Sequence, residues 1–160
     1  MKKLSFLLVI LLLLMGCGAK KVATTDIKGD LSKYHYVCVN PTNGVISSSG
    51  VYGNQYGIYG GDTHTTNPSE LIAGYLMKKG YSALSYIVPD LAEQTLVVTY
   101  GETGASSILL PKAGVIIQFK DAKTHQLVAS SEADGISIEN EAYAIKRAIY
   151  KALDQIFSDN

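Results

Sequence analysis

The chain has 160 residues, of which 47% are hydrophobic and 18% are charged, and its formal net charge at neutral pH is zero. This balance, with no long run of either sign, argues against a nucleic-acid-binding protein. The two cysteines, Cys17 and Cys38, allow no disulfide framework, so core packing must stabilise the fold.

The first 16 residues have the pattern of an export signal, in which two lysines precede an apolar run. The run from Leu4 to Met15 is twelve residues long, whereas a spanning helix needs roughly 17 to 25. It closes in Leu14-Met15-Gly16-Cys17, which resembles the lipobox of bacterial lipoproteins. The resemblance implies cleavage between Gly16 and Cys17, a diacylglycerol on the Cys17 thiol and an acylated amino group. The alternatives are an uncleaved membrane anchor or a buried helix.

Removal of residues 1–16 leaves 12 basic and 14 acidic residues on the mature chain. No aspartate directly follows Cys17, which by resemblance to the enteric sorting rule favours the outer membrane. No acidic cluster follows Cys17 either, which favours the periplasmic face over the cell surface. We therefore expect membrane attachment through a covalent lipid, with no other cofactor.

Residues 17–33 are polar and aperiodic and predict a flexible tether, followed by a single domain over residues 34–160. The aromatic and β-branched run 34–39 predicts a first strand, stopped by Asn40-Pro41. Cys38 lies in this run and is expected to be buried rather than reactive.

Residues 42–66 are rich in Ser, Gly, Tyr, Asn and Thr and predict a long loop. Loops beyond about 12 to 15 residues are usually functional or disordered. Tyr52, Tyr56 and Tyr59 give this loop the composition of binding loops, in which tyrosine supplies contact area and small polar residues adapt. The alternatives are a β-ribbon extension whose tyrosines pack on the domain and a mobile loop without a role.

A helix is predicted from Asn67, an N-cap, and Pro68, at the first helical position, to the stop at Gly80. Its apolar face comprises Leu71, Ile72, Tyr75 and Leu76. Residues 81–88 predict a second strand, and a strand-helix-strand unit normally makes the two strands parallel.

The remaining chain predicts a strand at 95–100, a loop over 101–111, and a hairpin. The strand at 115–120 turns through residues 121–125 into a partner at 126–131. A last helix is predicted over 138–157, with Ser137 as N-cap. The order β-α-β-β-β-β-α predicts an α/β (α+β) two-layer sandwich, a mixed sheet of about five strands with two amphipathic helices.

Three stretches carry a second resemblance: residues 90–98, residues 115–128 and the helix around Ala144-Ile-Lys-Arg-Ala-Ile149. They look like the small-lipoprotein families of the DUF4136 type. More distantly, they are similar to the periplasmic domains of the curli-secretion lipoprotein and of penicillin-binding-protein activators. The pattern departs at His125, which stands where glycine is usual. The resemblance implies fold and location, not activity.

Candidate chemistry is sparse along the chain. His35, His64 and His125 are scattered, and Asp62 with His64 does not supply the three or four ligands that zinc needs. No nucleophile or phosphate-loop motif is present. Asp90 and Glu93 could form a carboxylate pair for sugar hydrolysis, although a turn and a cap explain them better.

These observations predict a non-catalytic, membrane-anchored lipoprotein that acts as an accessory or binding module in an envelope assembly. The alternative is a glycan- or peptidoglycan-binding module that uses the tyrosine loop, and a third hypothesis is a hydrolase using Asp90 and Glu93. The partner is expected to be an envelope protein or glycan. A homo-oligomer through unpaired edge strands stays open.

Overall fold

The computed structural model describes residues 24–48, 52–54, 57–59, 63–104 and 112–158, in which ten strands and two α-helices occur. No helix in these ranges is long and apolar enough to cross a membrane. In chain order the elements are β1 Thr24–Ile27, β2 Tyr36–Val39, β3 Val45–Ser48, β4 Tyr52–Asn54, β5 Gly57–Tyr59, β6 Thr63–Thr66, α1 Pro68–Lys78, β7 Ser82–Ala83, a 3₁₀ helix Pro89–Gln94, β8 Thr95–Glu102, β9 Lys112–Asp121, β10 Leu127–Ile136 and α2 Glu141–Phe157.

A six-stranded mixed sheet in the order β1-β10-β9-β8-β2-β7 forms the body of the fold. The strands from β8 to β10 and β1 pair antiparallel, whereas β2 is parallel to both β8 and β7. The predicted α/β class with two helices is confirmed. The sheet has six strands rather than about five.

The helices cover one face of the sheet, and the apolar core lies between the two layers. Along β9 the alternating residues Val115, Ile117 and Phe119 are fully buried, as their period-2 pattern predicts. They pack in one cluster with the apolar side of α2, and Phe119 meets Phe157 edge-on with ring centroids 6.0 Å apart.

Helix α2 approaches β10 closely because small residues line the contact. A Cβ on Gly135 would lie 1.9 Å from the carbonyl oxygen of Ala144 and 2.6 Å from the amide nitrogen of Ala148. Glycine is therefore required at Gly135 by the close packing of the helix backbone.

The signals predicted for α1 are confirmed. The Asn67 side chain accepts a hydrogen bond from the Ser69 amide at 3.1 Å, Pro68 begins the helix, and Gly80 follows it with a φ of 96°. Asn67 also donates to the Glu70 carboxylate at 3.0 Å. The strand-helix-strand unit is parallel, as predicted.

Three predicted boundaries need correction. Residues 24–33 are not a tether, because β1 pairs with β10 and Leu31 is buried. The strand predicted at 81–88 shortens to Ser82–Ala83, and the chain bends where Tyr86 is exposed. The last helix starts after Asn140, which accepts a hydrogen bond from the Tyr143 amide at 3.0 Å.

The segment 42–66, predicted as a loop, contains two antiparallel ribbons. Strand β3 pairs with β6, and β4 pairs with β5. The β3–β6 ribbon lies against α2. One sequence alternative, a β-ribbon extension, matches these pairings, whereas packing of its tyrosines on the domain stays a prediction.

Candidate binding surface

The predicted lipid site, Gly16 and Cys17, lies outside the described residues, so the lipid anchor stays a prediction. The sheet begins at Thr24, seven positions after Cys17. A fully extended chain reaches at most ~3.3–3.6 Å per residue, so this segment spans roughly 25 Å at most. A lipid on Cys17 would therefore hold the β1 edge near the membrane.

The tyrosine-rich segment is organised by backbone pairing. Tyr52 and Tyr59 occupy opposite positions in the β4–β5 pair, whereas Tyr56 lies outside the described residues. Opposite positions in an antiparallel pair lie on one face of the hairpin. Two of the three predicted binding-loop residues are thus brought together at the level of the backbone.

A small cleft lies where the β3–β6 ribbon meets the first turns of α2. Its volume is about 130 Å³, and it is lined by Thr65, Thr66, Ala142, Tyr143 and Lys146. The helix N-terminus carries a partial positive charge, to which the Lys146 ammonium adds. The Glu141 carboxylate in the same first turn opposes both, so charges of either sign lie beside the cleft.

A second, larger groove follows the outward side of the same helix. It is a shallow, open groove of about 500 Å³, lined by Arg147, Tyr150, Lys151, Asp154, Gln155 and Ser158. Spacings of three and four residues place these positions on one helical face. We call the cleft and the groove together the ribbon–helix surface.

Neighbouring elements hold the walls of this groove in place. The Tyr75 hydroxyl donates to the Asp154 carboxylate at 2.8 Å, and its ring lies 6.1 Å from the Tyr150 ring. Burial raises the pKa of Tyr75, and the hydrogen bond to the negatively charged Asp154 raises it further. On the other side Gln155 accepts hydrogen bonds from Thr25 at 3.2 Å and from Ser131 at 2.8 Å.

Asp121 organises a structural cluster away from this surface. It accepts hydrogen bonds from the Tyr34 hydroxyl at 2.8 Å and from the amides of Lys123 and Thr124 at 2.9 and 2.8 Å. Burial opposes ionisation of Asp121, but the hydrogen bonds outweigh it and hold its pKa below the usual value. The cluster joins the segment before β2 to the β9–β10 turn.

The carboxylates proposed for hydrolysis occupy an exposed 3₁₀ helix. Glu93 pairs with Lys123, which lowers the pKa of Glu93 by hydrogen bonding and by its charge. A general acid in glycoside hydrolysis needs a raised pKa instead. Asp90 is exposed on the same short helix. The hydrolase hypothesis gains no support from this geometry.

The remaining candidates take ordinary structural places. His35 precedes β2, His64 lies in β6, and His125 occupies the hairpin turn with a φ of 59°. Across the described part of the chain, no three His, Cys, Asp or Glu residues form a group able to hold a metal. Cys38 is buried, as predicted, and burial raises the pKa of its thiol.

The outward face of α2 was not predicted from the sequence as a candidate binding surface. Tyr143, Arg147, Tyr150 and Lys151 recur at helical spacing and give a basic, aromatic face opposite the apolar one. This pattern could have indicated the groove, but not the cleft, which also needs Thr65 and Thr66 of the ribbon.

No family model matches the chain, and no curated protein is similar to it. Among solved structures, two crystal structures of the PelC dodecamer from Paraburkholderia phytofirmans have a similar fold, one of them a single-substitution variant. The TM-score is 0.50 for both, with 12% and 13% identity. The alignments cover 82% of this chain and 93% and 96% of the PelC chains. The similarity is one of fold.

Proposed function

We propose that this protein is a non-catalytic, lipid-anchored accessory protein of a cell-envelope assembly, held on the periplasmic face of the outer membrane by Cys17. In this proposal the ribbon–helix surface binds the partner. The relation to small lipoproteins of the DUF4136 type belongs to the same proposal. The similarity in fold to PelC, whose chains assemble into a dodecamer, supports a role within an assembly.

The observation that carries the proposal is the short distance between the lipobox and the sheet. Only residues 18–23 separate Cys17 from β1, so a lipid there leaves little freedom for the domain to leave the membrane. Two or three acyl chains anchor a protein stably, whereas one gives only marginal binding. A domain held in this way would meet its partners at the membrane surface.

Lipidation is tested by labelling cells that express the full chain with an alkyne-bearing fatty acid. We expect label on the wild-type chain and none on Cys17→Ser, which should also accumulate with its signal uncleaved. Cys38→Ser is the matched control and should label normally. Label on Cys17→Ser, or none on the wild type, would refute the anchor.

The partner surface is tested with photo-crosslinking residues in the full chain. Probes replacing Tyr150, in the groove, and Tyr56, in the tyrosine-rich sequence 42–66, should give a discrete product with another envelope component. A probe replacing Tyr86, which is 71% exposed in the bend after β7, serves as the control. Equal products from all three positions would argue against a defined surface.

The pairing of Tyr52 with Tyr59 supports a second candidate, the binding of glycan or peptidoglycan. Tyrosine rings can stack on sugar rings, and tyrosine emission reports such stacking directly because the chain has no tryptophan. Titration with cell-wall fragments should change the emission of the wild type but not of Tyr52→Ala/Tyr59→Ala. A Tyr86→Ala variant should behave like the wild type. No response at millimolar ligand would dispose of this candidate.

A further inference from the structure

The strand β1 forms one outer edge of the main sheet and is exposed along its whole length. All four residues, Thr24–Ile27, are exposed, and Ile27 retains 47% of its accessible surface. Within the described ranges, β10 is the only strand paired with β1. An edge with unpaired backbone groups and an apolar residue is a template for pairing with another chain.

The register shows which backbone groups point outward. The Lys28 amide donates to the Val128 carbonyl at 2.8 Å, in the same register that pairs Asp26 with Ser130. Hydrogen-bonded and non-hydrogen-bonded pairs alternate along an antiparallel ladder. The backbone amide and carbonyl of Asp26 therefore bond to β10. Those of Thr25 and Ile27 point away from β10, toward the unpaired edge of the sheet.

The side chains on this edge alternate in the same way. Thr25 contacts Gln155 of α2, so Thr25 and Ile27 belong to the helix side of the sheet. Asp26 and Lys28 lie on the opposite side, where they form an ion pair at 3.2 Å. Ile27 thus sits between two opposite charges that are placed symmetrically about it.

We propose that β1 is a homodimer interface, in which two copies pair antiparallel about a two-fold axis at Ile27. This register places Ile27 opposite Ile27 of the second copy. The backbone amide of each then donates to the backbone carbonyl of the other. It also places Asp26 opposite Lys28 on both sides of the axis. The same surface is used by both copies, as an isologous dimer requires.

Charge selects this register over its neighbour. If the axis moved to Asp26, two aspartates would face each other, and like charges directly opposite are destabilising. With the axis at Ile27, the two charged pairs occupy non-hydrogen-bonded positions, where opposite side chains are closest. Both copies can be anchored in one membrane in this arrangement, and confinement there would raise their effective concentration.

The dimer is tested by disulfide trapping of the full chain in the periplasm of a bacterial host. The Cα atoms of an Ile27 pair would lie about 5.5 Å apart, within the disulfide range of about 4.4 to 6.8 Å. Ile27→Cys should therefore give a reducible dimer. Thr25→Cys is the matched control on the same edge and face. In the proposed dimer the two Cα atoms at position 25 would lie about 13 Å apart along the strands, so this variant should give no disulfide-linked dimer.

A charge exchange tests the register independently. Asp26→Lys alone and Lys28→Asp alone each place like charges opposite across the axis, so each should reduce trapping at Ile27→Cys several-fold. Co-expression of the two variants should restore it, because the introduced lysine of one chain then faces the introduced aspartate of the other. If a substitution reduced trapping only by destabilising its own chain, co-expression with the other variant would not restore trapping.

The proposal is overturned if Ile27→Cys gives no dimer while the chain remains folded by its thermal melt. It is also overturned if Thr25→Cys is trapped equally, or if co-expression fails to restore trapping. These outcomes are separate from those for the lipid anchor, since fatty-acid labelling at Cys17 does not depend on pairing at β1.

Discussion

Replacement of Tyr34 by phenylalanine tests the cluster that joins the start of the domain to its hairpin. The Tyr34 ring is 3% exposed and its hydroxyl donates to Asp121 at 2.8 Å. Tyr34→Phe keeps the ring and removes only this donor. The other Asp121 oxygen still accepts from Lys123 and Thr124, so the turn itself should persist.

The size of the effect follows from burial and charge. A hydrogen bond to a charged group contributes about 1.5–3 kcal/mol to stability, against ~1 kcal/mol for a neutral pair. The nearby Lys33 ammonium is 3.7 Å from Asp121 and mostly exposed, so it compensates little. We expect Tyr34→Phe to lower the free energy of unfolding by about 2 kcal/mol, which for a domain of this size lowers Tm by roughly 5–10 °C.

The stability lost on Tyr34→Phe should become smaller as the pH falls. The folded-state pKa of Asp121 is lowered, so its ionised form stabilises the fold above the unfolded-state pKa of about 3.9. This stabilisation is lost as pH falls through the lower, folded-state pKa. The difference between wild type and Tyr34→Phe should therefore be complete at pH 7 and shrink below about pH 4.

Urea unfolding monitored by circular dichroism at pH 7 and at pH 3 measures both quantities. Tyr86→Phe is the control, since its ring is exposed, and should change stability by less than about 0.5 kcal/mol. A loss below about 0.5 kcal/mol for Tyr34→Phe at pH 7, or a loss that is larger at pH 3 than at pH 7, would refute the charge-assisted bond.

Four further substitutions test the packing and the turn, each by thermal or urea unfolding. Gly135→Ala should lose at least ~3 kcal/mol because its Cβ would enter the α2 backbone at Ala144. Gly74→Ala, which meets nothing within 4 Å, should gain about 0.5–1 kcal/mol. His125→Gly should gain up to ~1 kcal/mol by relieving a φ of 59°. Phe119→Ala should lose about 3–5 kcal/mol, because the fully buried ring would leave a core cavity.

Elements defined by neighbouring residues were predictable from sequence. The start of α1 depends on Asn67 and Pro68, and its end on Gly80, so every signal lies within the helix or beside it. The alternation along β9 likewise reports a strand with one buried face. Local patterns were sufficient for the α/β class.

Features that depend on distant partners were not predictable in the same way. The four residues of β1 are all exposed and gain their structure only by pairing with β10, which lies far along the chain. The start of α2 moved because both Ser137 and Asn140 are good caps; Ser137 caps the preceding turn instead, by accepting from the Glu139 amide. The ribbon–helix surface depends on where β3 and β6 dock, which composition does not specify.

The pairing of β1 with β10 also orders events during biogenesis. Thr25 and Ser131 are in contact although 106 residues separate them. A chain that emerges from its amino terminus exposes β1 long before its docking strand exists, and such distant contacts form late. Strand β1 would thus stay unpaired until β10 had been made, when most of the domain is already complete. Completion of the sheet would then bring β10, and the helix α2 that packs on it, to the first strand of the domain.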